Sequence, residues 1–227
     1  MRLLLCLSAL AGVVLFLLGL HLELKWLTLL SKPLPVGCLL LWLRSARPSA
    51  YRHWIAVGLG FSLLGDLLLE WPADLFVLGL AAFLLAHLAY LTAYLGESRR
   101  LAPFALLSAA LVAGSMFAVL ASAGLGALLV PVLLYSLAIG AMLWRGLARL
   151  GAPHVAARSA WLAATGAVLF VLSDSLIGIN RFVAAFDGAR YAIILSYWLG
   201  QFAIAASVLA RSPQLGACVA SSPSSRL

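Results

Sequence analysis

The chain has 227 residues, of which 65% are hydrophobic and 10% charged, whereas soluble domains average about 45–50% apolar and ~25% charged residues. That balance, with a mean hydropathy of +1.11, excludes a soluble enzyme and places the chain in a bilayer. A formal charge of +8 suggests nucleic acid, but the basic residues are scattered in short loops with no aromatic-interleaved surface, so nucleic acid is set aside as a partner and topology explains the charge.

Apolar runs bounded by charges, Gly and Pro predict eight helices, near 3–20, 26–43, 53–70, 75–95, 101–121, 126–146, 159–180 and 190–210. The expected fold is all-α. It is a polytopic membrane protein whose single bundle of eight transmembrane helices occupies residues 1–211, with a disordered cytoplasmic tail rich in Ser over 212–227. The first run imitates a signal peptide, with Arg2 at its start and a small-x-small Ala9-Leu10-Ala11. It continues apolar to Leu20, as an uncleaved first helix does. Cys6, Cys38 and Cys218 lie far apart, outside any CxxC or Cys/His spacing, and read as apolar filler.

Eight spans put both termini on one side, and eleven of the fifteen Lys and Arg residues share it, Arg145 and Arg149 among them. Lys25, Arg181 and Arg190 lie opposite, and Lys32 falls inside a span. This bias predicts both termini in the cytoplasm, in a bacterial inner membrane. No feature of the sequence specifies an oligomeric state.

A faint repeat relates the halves: Leu34-Pro35-Val36 followed by Leu41-Trp42-Leu43-Arg44 resembles Val130-Pro131-Val132 followed by Leu143-Trp144-Arg145. The next helix of each half carries one aspartate, Asp66 in the third and Asp174 in the seventh. Two repeats of four helices would be parallel, related by an axis along the membrane normal. Leu/Ala-rich helices also resemble one another without any repeat.

A carboxylate within a span costs roughly 2.5–3.5 kcal/mol on insertion scales, so it is kept for a partner or a function. Asp66 shares a helical face with Glu70, while Gly58, Ser62 and Gly65 let a neighbouring helix approach closely. Glu70, beside Trp71-Pro72, reads equally as a solvated interfacial carboxylate. Asp174, in Ser173-Asp174-Ser175, falls at a depth similar to that of Asp66. Two carboxyl groups sharing a poorly hydrated cavity would not both ionise freely, which leaves one able to act as an acid.

Around this pair the fourth helix presents His87, Tyr90 and Tyr94 as one stripe, with Tyr94 expected at the interfacial aromatic belt. Lys32, in Lys32-Pro33-Leu34-Pro35, has two readings: it snorkels to water, or it serves as counter-ion to a carboxylate or a phosphate. Tyr197 and Gln201 share a face of the eighth helix, Tyr135 enters from the sixth, and Asn180 and Arg181 close the seventh, where Arg181 reads as a phosphate ligand or a headgroup anchor. The expected site is a cavity lined by Asp66, Asp174, Lys32, His87, Tyr135, Tyr197 and Gln201, with the two aspartates facing each other across it. No Gly-x-Ser-x-Gly, P-loop, His-Glu-x-x-His or dinucleotide fingerprint competes with it.

At these residues the chain resembles the YhhN family of membrane proteins, the lysoplasmalogenase family. The likeness runs through Ala210: Lys32-Pro33, Gly65-Asp66, the Phe83–Tyr90 segment with His87, the stretch from Pro131 to Met142-Leu143-Trp144-Arg145-Gly146-Leu147, the Phe170–Asp174 segment ending Leu172-Ser173-Asp174, and Tyr197 with Gln201. The resemblance implies a lysophospholipid substrate: hydrolysis of the vinyl ether of a lysoplasmalogen, giving a fatty aldehyde and a glycerophospho-base, with Asp66 and Asp174 as catalytic residues.

The chemistry suits the residues themselves, since enol ether hydrolysis needs an acid to protonate carbon and an anion or base to serve the oxocarbenium ion. It requires neither metal nor organic cofactor. Two other functions remain open at this stage. A small lipid or metabolite transporter or flippase predicts a path to both faces, and a noncatalytic lipid-binding protein predicts polar residues that satisfy one another and leave no cavity.

Overall fold

In lipid a backbone finds no water to bond, so each apolar run closes its hydrogen bonds internally as a helix. The computed structural model describes residues 2–211; the tail expected over 212–227, Cys218 included, lies outside the described residues. Eight helical stretches are long and apolar enough to cross a membrane. The first is α1 (Arg2–His21), and the second is divided into α2 (Lys25–Ser31) and α3 (Leu34–Leu43). Then follow α4 (Ala50–Glu70), α5 (Phe76–Glu97), α6 (Pro103–Ser122), α7 (Leu129–Ala148), α8 (Ala157–Gly178) and α9 (Ala189–Leu209). Among the described residues there is no strand.

Two details depart from the unbroken helices expected. Lys32 and Pro33 separate α2 from α3, because a proline ring crowds the carbonyl four residues back and supplies no N–H. The seventh span ends in a π-helical turn, Ile179–Val183. The first span packs into the bundle: Phe16 is 2% exposed and meets Trp198 of α9 edge-on at 5.3 Å.

Within each half every span packs on the next, the tightest pairs being α4 on α5 and α8 on α9. The halves join where α5 packs on α7 and α9 on α3, so the fourth span of each half meets the second span of the other. This is the packing order that an axis along the membrane normal generates. Close approach depends on glycine: a Cβ on Gly166 would fall 2.8 Å from the Gly200 carbonyl oxygen and 2.9 Å from the Ile204 nitrogen, and one on Gly58 2.2 Å from the Tyr90 ring.

On the side that holds both termini, the bundle is closed by a buried polar layer. Arg145 and Arg149 are 2% and 0% exposed. Arg149 reaches Glu97 Oε2 at 2.6 Å and Ser159 Oγ at 2.9 Å, with its guanidinium 4.5 Å from the Tyr51 ring and 5.4 Å from that of Tyr94. Arg145 donates to the carbonyls of Ser98 and Arg100, which have no helical partner beyond α5. Tyr94 is therefore no belt residue; it is fully buried here because it packs against a desolvated cation.

Candidate active site

Asp66 points into the bundle from α4 and is 1% exposed. The Tyr197 hydroxyl, from α9, donates to its Oδ2 at 2.7 Å. Deeper in the bundle, Tyr90 of α5 donates to Gln201 Oε1 of α9 at 2.8 Å and lies 3.3 Å from Ser62 Oγ of α4. Ser62, counted from the sequence only as a small packing residue, thus belongs to a buried polar ladder.

Asp174 stands on α8 with a different set of partners. Tyr135 of α7 donates to its Oδ2, and His87 Nε2 of α5 lies 3.0 Å from the same oxygen and 2.9 Å from the Tyr135 hydroxyl. His87 Nδ1 is buried with no partner among the described residues. A bare acceptor is better tolerated there than a bare N–H, which assigns the ring proton to Nε2. Two hydrogens then point at Asp174 Oδ2, the arrangement that suits an ionised, acceptor-only carboxylate. Each aspartate is thus bonded from the fourth helix of the opposite half: Asp66 by Tyr197, Asp174 by His87. Phe170 packs against both of these donors, edge-on to Tyr197 at 5.5 Å and to His87 at 4.7 Å.

Both carboxyl groups line one cavity of about 590 Å³ on the side opposite the termini. Of the residues singled out from the sequence, Lys32, Asp66, Glu70, Asp174, Asn180, Arg181 and Tyr197 line it. His87, Tyr90, Tyr135 and Gln201 do not; the expectation that His87, Tyr135 and Gln201 would form its wall is corrected, because Gln201 bonds Tyr90 deeper in the bundle while His87 and Tyr135 reach the wall residue Asp174 from the side away from this cavity, Tyr135 lining an apolar slot beside it. They stand behind the wall and hold it. The cavity also removes the premise of a noncatalytic protein whose polar groups only satisfy one another.

Toward its mouth the cavity is bordered by ion pairs. Glu70 is held between Lys32, at 3.3 Å, and Arg190, at 2.5 Å, so Lys32 is a counter-ion rather than a snorkelling anchor. Arg181 pairs with Asp74 at 2.9 Å, and its guanidinium lies 4.1 Å from the Phe76 ring centre. The Arg181 hydrogen bond, helped by the Phe76 backbone N–H, keeps the Asp74 carboxyl below the usual carboxylate range. Asn180 accepts from the Phe186 N–H at 3.3 Å. Arg190 and Lys25 also line the cavity but were read only as loop charges. Their signal was their rarity on that side.

Among the described residues no three His, Cys, Asp or Glu side chains converge as a metal site. What the cavity offers is two carboxyl groups in unlike settings below a rim of cations, a set able to deliver and remove a proton beside an anionic headgroup.

The sequence profile of the YhhN family matches residues 27–208. Relatives include the protein named Lysoplasmalogenase TMEM86B in Homo sapiens, 38% identical over 194 residues, covering 84% of this chain and 79% of that one. The Rattus norvegicus protein of that name is 36% identical over 193 residues, 84% and 76% of the two chains. A Mycobacterium tuberculosis protein named Lysoplasmalogenase is 38% identical over 168 residues, covering 68% of this chain and 60% of its own length. No solved structure matches significantly.

Proposed function

Because this chain belongs to the YhhN family, we propose that it is a lysoplasmalogenase, a membrane hydrolase that opens the vinyl ether of a lysophospholipid. The observation that carries the mechanism is that Asp66 and Asp174 line one cavity with unlike partners. Asp66, which among the described residues accepts from Tyr197 alone, is the acid: its proton goes to the alkenyl carbon next to the ether-bearing one, leaving an oxocarbenium ion. Asp174, kept anionic by Tyr135 and His87, stabilises that cation and takes a proton from the attacking water. The resulting hemiacetal collapses as its hydroxyl loses a proton and its ether oxygen gains one. A fatty aldehyde and a glycerophospho-base leave.

The cations at the rim suit the phosphate: Arg190 and Arg181 are partly exposed, and Lys32 is within the wall. A transport reading would need a path to the other face, and there the layer of Tyr51, Tyr94 and Arg149 is packed and buried. The expected location, a bacterial inner membrane with both termini cytoplasmic, rests for its orientation on the eleven basic residues of the terminal side.

The deciding experiment is purified protein in detergent with a lysoplasmalogen, followed by detection of free aldehyde. The saturated ether analogue, which has no double bond to protonate, should survive. Equal release from the Asp66→Asn variant would discard the mechanism.

A further inference from the structure

The polar cavity accounts for a headgroup and a vinyl ether, but not for the rest of a lysolipid. An apolar slot of about 70 Å³ lies beside it, between α5, α6, α7 and α8. Slot and cavity share Leu69, Phe76, Phe83, Asp174 and Ile177, so Asp174 stands at their junction. Leu80 of α5 and Met116 of α6 both line the slot.

A second apolar space adjoins the slot. A groove of about 300 Å³ follows the seam of α6 and α7 toward Leu106 and Trp144, and it shares Ala113 and Ser136 with the slot. From Leu120 to Leu106 the two together follow fourteen residue-to-residue steps of α6, about 21 Å at 1.5 Å per residue. One leaflet of a bilayer has a hydrocarbon depth of roughly 15 Å. At the opposite end Leu120, Leu125, Val132 and Phe182 form a separate apolar cluster that caps the slot.

Helix α6 leaves room for this path, because it packs on α7 and on the π turn after α8 but makes no substantial contact with α5. Past the junction a Cβ on Gly140 would lie 2.8 Å from that of Ala113, so α6 and α7 touch and the path narrows.

We infer that the slot and its continuing groove bind the alkenyl chain of the lysolipid, with Asp174 at the mouth where chain meets headgroup cavity and with Ala113 and Ser136 setting the chain length accepted. This rests on the hydrolase reading above and extends it from the reacting bond to the chain. Bulk lipid would also wet an apolar groove. What favours a substrate chain is continuity with the polar cavity at a reacting carboxylate, together with a course along the membrane normal.

Two measurements test it. The first compares kcat/KM for lysoplasmalogens with hexadecenyl and octenyl chains. In Ser136→Phe the ratio of long to short should fall at least about tenfold, the worth of two methylenes shut out of the slot. Leu111→Phe, on the lipid-facing side of α6, should leave the ratio as in wild type. An unchanged ratio in a folded Ser136→Phe protein overturns the assignment.

The second does not need turnover or a variant. A saturated alkyl-ether lysophosphocholine carrying a diazirine at the chain end is photolysed with wild-type protein. Labelling near Ala113 and Ser136, suppressed by the unlabelled analogue, supports the slot; labelling spread over α1 and the outer face of α6, without competition, means bulk lipid only and overturns it. If competed labelling occurs but no enol ether is cleaved, the hydrolase reading fails while the chain site stands. If cleavage occurs and the label falls elsewhere, the chain site alone fails.

Discussion

His87 and Asp174 meet across the boundary between α5 and α8, Nε2 to Oδ2 at 3.0 Å, with the imidazole wholly buried behind the cavity wall. The ring never reaches the cavity, so it acts through the carboxylate. A hydrogen bond to a charged group is worth about 1.5–3 kcal/mol, which corresponds to roughly tenfold to hundredfold in rate. His87→Ala should therefore lower kcat by about that factor and leave KM nearly unchanged, and Tyr135→Phe should behave alike. A rise in KM with kcat preserved would place His87 in substrate binding instead.

Asp66→Asn and Asp174→Asn nearly preserve volume and keep an acceptor for Tyr197 or Tyr135. Each should leave a folded protein whose aldehyde release is at least ~100-fold slower, the lower worth of acid–base catalysis. Wild-type turnover in either folded variant removes that residue from the mechanism.

Glu97 joins Arg149, at 2.6 Å, to Arg211, at 2.7 Å, and closes the bundle on the terminal side. Removing one member of a buried pair costs about 3–5 kcal/mol because the other charge is stranded. Glu97→Ala should accordingly lower the thermal midpoint in detergent much more than Arg211→Ala, whose side chain is 29% exposed. Arg149→Met should fall between them, since methionine refills the apolar volume beside Tyr51 and Tyr94. Similar midpoints for all three would mean the layer is solvated.

Gly166→Ala should be destabilising by about 1–3 kcal/mol, the usual cost of forcing extra volume into a packed contact. The obstacle is backbone of α9, 2.8 Å from the added Cβ, which no side-chain rotation relieves. Gly60→Ala is the control, with no atom within 4 Å of its Cβ. Because α8 and α9 carry Asp174 and Tyr197, Gly166→Ala should also lose activity in proportion to its altered packing; a midpoint equal to that of Gly60→Ala would refute the close approach.

The bias of basic residues predicts a cytoplasmic location for both termini. A reporter fused after residue 211 should be active only in a reducing compartment, and activity restricted to the oxidising side would reverse the topology.

The helices and their order were legible in the sequence because a bilayer penalises unbonded backbone and isolated charge at every position, so apolar length and loop charge carry the information locally. Asp66 and Asp174 stood out for the same reason: each is an expensive residue in an apolar run. Pairing is not a local property. That Tyr197 serves Asp66 while His87 and Tyr135 serve Asp174, that Lys32 and Arg190 share Glu70, and that Arg149 is buried rather than solvated depend on which helix faces meet. Rotation of a helix about its axis is fixed by contacts between side chains distant in sequence, such as α9 against Gly166. For that reason only the tertiary structure separated the residues that line the cavity from those that hold its wall, and revealed the apolar path that leaves it at Asp174.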